Sequence, residues 1–336
     1  MKSGFTVRSV LVKFGTNRNP NCVDSVVQFG AERGTNLHLG VSSVEVGDIH
    51  QFGSHGRSWF AWANQMFRHV IQATQNSSID VRSTSIISDP EAFGQFSRYL
   101  AESFEKPHHM LYVHGFNTNF DFALKQAGRL AADLKVSGNT FLFSWPSKGS
   151  LAQYSADEAS VGACYPFFAE YLEIILRAIG DMSLTIIAHS MGNRLLTRWI
   201  SDQGKVSIKP FIKNAILAAP DVDFDEFCSA LVNHEFVCQR TTLYANPADL
   251  ALQASAIKHS YHRAGLVPPL PTLPKLETVV VEGFPLDTLA HSYFAEAGNT
   301  LHDIFVMMQF DASLEGRPAT RKRTINGVEC WTLPYA

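Results

Sequence analysis

What the sequence is short of narrows the possibilities first. Its five cysteines (Cys22, Cys164, Cys228, Cys238, Cys330) are odd in number, scattered, and include no CxxC pair. A disulfide framework wants an even, patterned set, so a reducing compartment suits this usage better. No apolar run approaches the ~18 residues of a membrane-spanning helix. The N-terminus has no uninterrupted apolar stretch either, because Arg8, Lys13 and Arg18 break it up. The expectation is a cytoplasmic protein with no signal peptide and no membrane span. Charge is sparse: charged residues make up 18% of the chain, the net charge is −3 and the pI is about 6.5. Such a balance offers no field that would gather nucleic acid or an anionic membrane. The Arg321-Lys322-Arg323 cluster is short and reads as a solvated edge. HExxH is missing, and His108-His109 are adjacent rather than four apart, so they would not share a helical face. GxGxxG and GxxxxGK[ST] are missing too, so neither a metal nor a cofactor is expected. There are no internal repeats and no low-complexity segments.

What is present is ample material for a core, with 46% hydrophobic residues over 336 positions. Ser9 to Phe14 reads as a strand, Gly15 to Asn21 as a loop, and Leu37 to Val46 as a second strand. Residues 47–82 read as an N-terminal elaboration, glycine- and serine-rich and then aromatic. Asp89-Pro90-Glu91 offers an N-cap, a proline at the first helical position and an acid in the first turn, opening a helix to about Glu105. Short apolar strands then alternate with amphipathic helices. Strands are predicted at Met110 to Gly115, Thr140 to Trp145, Leu184 to Ala188, Ala215 to Ala219, Thr241 to Ala245 and Thr278 to Val281. Helices are predicted over Phe120 to Lys135, from a Ser155-x-x-Glu158 capping box to about Ile179, and from the 190s to Gly204. Further helices follow around Phe224–Val232, Pro247–Lys258 and Leu301–Phe310, and Asn326-Gly327 marks a small C-terminal hairpin. This order predicts an α/β fold, a mostly parallel sheet with helices on both faces. Residues 1–88 would pack as an elaboration on a domain of residues 89–336.

One stretch carries chemistry by itself. Leu184 to Ala188 is a buried strand, Asn193 onward starts a helix, and Ser190 sits at the tight turn between them. This is the strand–turn–helix setting of a nucleophile elbow, G-x-S-x-G, with Ala188 and Gly192 as the small flanking residues. A serine nucleophile also needs a base, an acid that orients the base, and donors for the oxyanion. In an α/β-hydrolase the acid and base follow the serine in that order, each after a later strand. Asp249 follows the penultimate predicted strand and His291 the last one, so the predicted triad is Ser190, Asp249 and His291. Asp221, with Asp223 beside it, follows the strand one earlier and is the rival acid. His259, His262 and His302 lie on or beside helices, and His189 should leave the turn in another direction. His114-Gly115-Phe116-Asn117 follows an earlier strand, and Gly115 permits close backbone approach. The oxyanion donors would then be the backbone N–H groups of Phe116 and Met191. Phe116, Trp145 and Tyr154 could line an apolar acyl pocket or equally belong to the core.

Several segments together resemble a family of bacterial α/β-hydrolases of unassigned function. They are Val113-His114-Gly115-Phe116-Asn117, Ser144-Trp145-Pro146-Ser147, and His189-Ser190-Met191-Gly192-Asn193-Arg194. The later ones are Tyr244-Ala245-Asn246-Pro247-Ala248-Asp249-Leu250-Ala251-Leu252 and His291-Ser292-Tyr293, while Thr16-Asn17-Arg18 also fits near the start. The resemblance implies the α/β-hydrolase fold and the Ser190–Asp249–His291 triad. Two departures stand out: Asn246 where serine is usual, and Asp157-Glu158 where Asp-Arg is common. The expected activity is hydrolysis of a small carboxylic ester with a short to medium acyl chain, since no long lid insertion interrupts the sheet elements. A thioesterase, amidase or acyltransferase would use the same triad, and a non-catalytic binding protein is the rival of another class.

Overall fold

The computed structural model describes residues 8–23, 26–47, 79–203, 212–282 and 298–334. The strands are β1 (Arg8–Val23), β2 (Val26–Val46), β3 (Ile79–Ile86), β4 (His108–Val113), β5 (Thr140–Phe143) and β6 (Ser183–His189). They continue with β7 (Ile212–Ala218), β8 (Cys238–Ala245), β9 (Leu276–Glu282), β10 (Arg321–Ile325) and β11 (Val328–Pro334). The helices are α1 (Pro90–Glu102), α2 (Phe120–Asp133), α3 (Tyr154–Ala163) and α4 (Tyr165–Ile179). After them come α5 (Asn193–Gln203), α6 (Phe224–Ala230), α7 (Leu250–His259) and α8 (Gly298–Phe310).

The strands join one eleven-stranded sheet in the order β10-β11-β9-β8-β7-β6-β4-β5-β1-β2-β3. Pairing is parallel from β11 through to β1 and antiparallel only where β10, β2 and β3 extend the edges. The central strands are apolar at consecutive positions because both of their faces are covered. In β4, Leu111 and Val113 enter one core layer while Met110 and Tyr112 enter the other. In β6, Ile186 and Ala188 face the first layer and Ile187 the second. Helices α1, α3, α4, α5 and α6 cover the first face, with Phe93, Val161, Phe168, Leu196 and Phe227 among their buried residues. The second face is covered by α2, α7 and α8, through Ala127, Leu252 and Met308 among others.

Local signals in the sequence hold where their partners are close. Asp89 accepts the N–H of Glu91, with Pro90 opening α1. Asn326 and Gly327 both have positive φ (49° and 82°) and join β10 to β11 in a two-residue turn. Three expectations are corrected. Gly15 to Asn21 is not a loop but part of β1, paired with β2 through two register shifts that accommodate Pro20. Gly15 is required there because a Cβ would lie 2.6 Å from the Tyr171 ring. The single helix expected to run to Ile179 is two, bent by 51° at Cys164, where Pro166 in the first turn of α4 lacks the N–H to continue from α3. Ser155 does not cap a helix, since Gln153 occupies the N-cap of α3 and Glu158 is bonded to Arg194 instead. Most of the 47–82 elaboration lies outside the described residues, as does the end of the helix expected at Gly204; its last four positions open β3.

The segment expected to carry the base, with His291-Ser292-Tyr293, also lies outside the described residues, between β9 and α8. Its two flanks are tied by a buried charge cluster. The Arg317 guanidinium, with no exposed side-chain surface, donates to Asp303 of α8 at 3.3 Å and Glu277 of β9 at 2.5 Å. The Tyr244 hydroxyl of β8 donates to the same Asp303 carboxylate at 2.5 Å. Burial pushes the Asp303 carboxyl upward, against the pull of Arg317. Removing one partner of a buried pair strands the other, at a cost of about 3–5 kcal/mol. Arg317→Met should therefore lower the urea midpoint by that equivalent, and an unchanged midpoint would show that the cluster does not tie these flanks.

Candidate active site

β4 and β6 lie side by side, paired from His108↔Ser183 to Val113↔Ala188. From β4 the chain moves outward to β5, whereas from β6 it steps the other way to β7, β8 and β9. The loops after β4 and β6 therefore leave the sheet at a topological switch point, where the carboxyl ends of an open α/β sheet form a crevice. The sheet register brings the ends of β7, β8 and β9 to the same edge: His189 pairs with Ala218, Ala218 with Tyr244, and Ala245 with Val280.

Ser190 stands at the end of β6 with φ of +50°, in the left-handed region. A residue with a Cβ is held there at a cost of about 1–2 kcal/mol. The turn Ser190–Gly192 leads directly into α5. Asn193 holds the turn closed: its Nδ2 donates to the carbonyls of Ala188, Ser190 and Ala218, each at 3.1 Å. Asp221 N–H adds a bond to the Ser190 carbonyl at 3.3 Å. Sequence reading missed Asn193, whose identity as a helix-start residue gives no sign of a carbonyl arriving from β7.

The two loops interlock through paired glycines. A Cβ on Gly115 would sit 2.8 Å from Ser190 Cβ, and one on Gly192 would sit 2.5 Å from the His114 carbonyl oxygen. Backbone thus meets backbone, which brings the 114–117 segment against the turn that holds Ser190 and Met191. Asn117 has φ of 57° and turns this segment back toward α2.

Beneath it lies a buried polar floor that accounts for the N-terminal Thr16-Asn17-Arg18 and the Ser144–Ser147 motifs. Arg18, fully buried, donates to Ser144 Oγ at 3.1 Å, to the carbonyls of Gly30 at 3.0 Å and Ser147 at 3.2 Å, and to that of Thr118 at 2.8 Å. Asp157 accepts the Ser147 hydroxyl at 2.5 Å and the Lys148 N–H at 2.7 Å, together with the Asn117 N–H. Burial pushes the Asp157 carboxyl upward, opposed by these donors and by the Arg18 charge. His114 is locked into the same floor. Its Nδ1 bonds the Gly115 carbonyl at 2.8 Å, its Nε2 bonds Ser144 Oγ at 3.2 Å, and its ring stacks on Trp145 at 5.0 Å. Burial and then the Arg18 charge pull its pKa down to about 3, so the ring is neutral at any ordinary pH. Trp145 is a core residue: fully buried, it donates its indole N–H to the His114 carbonyl at 2.8 Å. Phe116 is half-buried and lies 5.3 Å from the Tyr154 ring.

The two candidate acids differ in what they hold. Asp221 accepts the Tyr154 hydroxyl and the Ser255 hydroxyl, both at 2.6 Å, with Arg263 Nε 3.6 Å away. Asp249 is fully buried at the N-cap of α7, where one carboxylate oxygen accepts the Leu252 N–H at 3.0 Å. Asn246, standing where the resemblance expects serine, accepts the Ala248 N–H at 2.7 Å and shapes the approach to Asp249. The histidines on or beside helices are otherwise occupied. His259 bonds the Ser255 carbonyl and Glu158, His262 bonds the Leu266 carbonyl, and His302 lies beside Phe305 on α8. Burial disfavours ionised Glu158, but Arg194 and His259 outweigh it and hold its carboxyl down to about 2.

The sequence profile of a family described as "Alpha/beta hydrolase of unknown function (DUF900)" matches residues 92–305, more than half of the chain. The chain belongs to this family. Within this alpha/beta hydrolase family the matched stretch includes the elbow, the 114–117 loop and both candidate acids. A protein of Nostoc sp. (strain PCC 7120 / SAG 25.82 / UTEX 2576), named "Uncharacterized protein alr1448", is 24% identical over 292 residues, covering 69% of this chain and 73% of its own.

The left-handed turn gives a stability prediction. Glycine adopts positive φ freely, at an entropic cost of about 0.5–1 kcal/mol. Ser190→Gly should therefore be more stable than Ser190→Ala by about 0.5–1 kcal/mol in thermal or urea unfolding. A Ser190→Gly protein less stable than Ser190→Ala by about 0.5–1 kcal/mol would mean that the elbow stores no backbone strain.

Proposed function

We propose that this family member is a serine hydrolase that cleaves small carboxylic esters with short to medium acyl chains. The observation that carries the reading is Ser190 held at φ of +50° at the switch point, with the 114–117 backbone pressed against it. Ser190 Oγ attacks the ester carbonyl while His291 accepts its proton, and the N–H groups of Phe116 and Met191 bind the oxyanion. Collapse of the tetrahedral intermediate breaks the C–O bond, and His291 returns the proton to the departing alkoxide. Water, deprotonated by the same imidazole, then releases the acid and regenerates Ser190. Asp249 holds the imidazole in the tautomer that accepts the proton. His114, neutral and bonded on both ring nitrogens, positions the oxyanion loop rather than serving as base.

Asp249 is favoured over Asp221 because the Asp221 carboxylate already accepts two hydroxyls and faces Arg263. Tyr154 is favoured as a positioning wall beside Phe116, with its ring toward the loop and its hydroxyl spent on Asp221.

A fluorophosphonate probe should label the wild type and leave Ser190→Ala unlabelled. Failure to label either would point to a binding protein that keeps the fold without turnover. Asp249→Asn should lower kcat on p-nitrophenyl esters by roughly 10⁴, as loss of the orienting acid does in other triads. Asp221→Asn should leave kcat within about tenfold of wild type while lowering stability. The reverse pattern would assign the acid to Asp221. Product analysis with an added acceptor alcohol separates hydrolysis from acyl transfer, and thioester and amide analogues of the best ester rank the leaving groups.

A further inference from the structure

The proposed oxyanion donors lie on separate segments, Phe116 on the loop after β4 and Met191 on the turn after β6. Helix α3 is connected to both. Its N-cap residue, Gln153, makes no side-chain cap bond, and a ten-residue helix has little stability of its own, so tertiary contacts must hold it. On the loop side, Asp157 accepts the Asn117 N–H, and the Tyr154 ring lies 5.3 Å from that of Phe116.

On the elbow side the connection runs through Glu158. Its Oε1 accepts Arg194 Nη1 at 2.9 Å, and Arg194 Nε donates to the Asp221 carbonyl at 2.9 Å. Asp221 N–H in turn holds the Ser190 carbonyl, so this carboxylate reaches the serine turn in a few short steps. The same carboxylate grips α7: Oε1 lies 2.7 Å from His259 Nε2 and Oε2 lies 3.3 Å from Lys258 Nζ. Burial works against its charge, but Arg194 and His259 outweigh it and keep Glu158 ionised at ordinary pH. The Glu158 and Arg194 side chains are only 27% and 22% exposed, where an ion pair is screened less than on the open surface.

Tyr154 and Glu158 are one turn apart and share a face of α3. Lys258 therefore meets both: its Nζ stands 4.0 Å over the Tyr154 ring and also donates to Ser155 Oγ at 2.9 Å. The Tyr154 hydroxyl donates to the Asp221 carboxylate at 2.6 Å, which closes the circuit back to the serine turn.

We propose that Glu158 is a positioning residue: it locks α3 to α5 and α7, and through Tyr154 and Asp157 this fixes the Phe116 N–H relative to Ser190 and Met191. The proposal rests on the serine-hydrolase reading of the same site. An oxyanion is stabilised only when its donors sit about 2.7–3.1 Å from where it forms. Slack between the two segments therefore lowers kcat more than it weakens substrate binding.

Full-length Glu158→Gln keeps the size of the side chain and removes the charge that gathers Arg194, Lys258 and His259. On p-nitrophenyl butyrate its kcat should fall at least fivefold, with KM within threefold of wild type. Glu173→Gln removes a comparable contact, 2.7 Å to Arg177 on the surface of α4, and should leave both constants within twofold. Amide hydrogens of residues 114–118 should exchange at least fivefold faster in Glu158→Gln than in wild type. A smaller fall in kcat, a loss carried by KM, an equal fall in Glu173→Gln or unchanged exchange overturns the proposal. A wild type that neither turns over esters nor reacts with a fluorophosphonate overturns the hydrolase reading instead, and the exchange rates then decide alone whether Glu158 holds the loop. If Glu158→Gln does not fold, Lys258→Met, which cuts part of the grip of α7 on α3, takes its place with the same readouts.

Discussion

Two loops meet backbone to backbone at the neighbouring ends of β4 and β6, and the rest of the candidate site depends on how closely they approach. Gly115 and Gly192 are each placed where a single methyl group would strike the opposite loop. The contact is possible because the strands are adjacent and parallel, so both loops leave the sheet on the same edge. It is durable because Asn193 ties the serine turn to carbonyls of both β6 and β7. The strained φ of Ser190 is then maintained by its surroundings rather than by its own preference.

The floor under that contact is polar and buried, which is a costly way to build a core. Arg18 and Asp157 offset the cost by satisfying backbone groups of segments that form no regular ladder: 117–118 and 147–148. Water would otherwise have to reach these groups. The charges thus act as fasteners for irregular backbone, while His114 and Trp145 stack as a flat layer between them and the loop. Arg317 does comparable work at the other flank, fastening α8 to β9 on either side of the segment that contains His291. Lys13 differs from both, because its buried charge has a neutral partner, the Asn139 side-chain oxygen.

Much of this was legible in the sequence where the physics is local. Two-face burial of the central strands shows as runs of consecutive apolar residues. The Asp89 cap, the Asn326-Gly327 turn and the elbow are short motifs whose residue types state their backbone demands. The reading failed where distant partners overrule local preference. Gly15 to Asn21 has the composition of a loop, yet pairing with β2 makes it a strand. Ser155 and Glu158 have the spacing of a capping box, yet Arg194 claims Glu158.

By itself, then, the sequence determined the alternation of strands and helices, the position of the sharp turn at Ser190 and the order in which candidate groups arrive. Those are properties of neighbouring residues, set by sterics and periodicity within a few positions. Only the tertiary structure decided which acid is consumed by hydroxyls and an arginine, why Arg18 is buried, and that Trp145 belongs to the core. Contacts between residues distant in the chain, 31 positions apart for Trp145 and His114, 67 for Tyr154 and Asp221 and 126 for Arg18 and Ser144, set each of these, and no local window of sequence contains them.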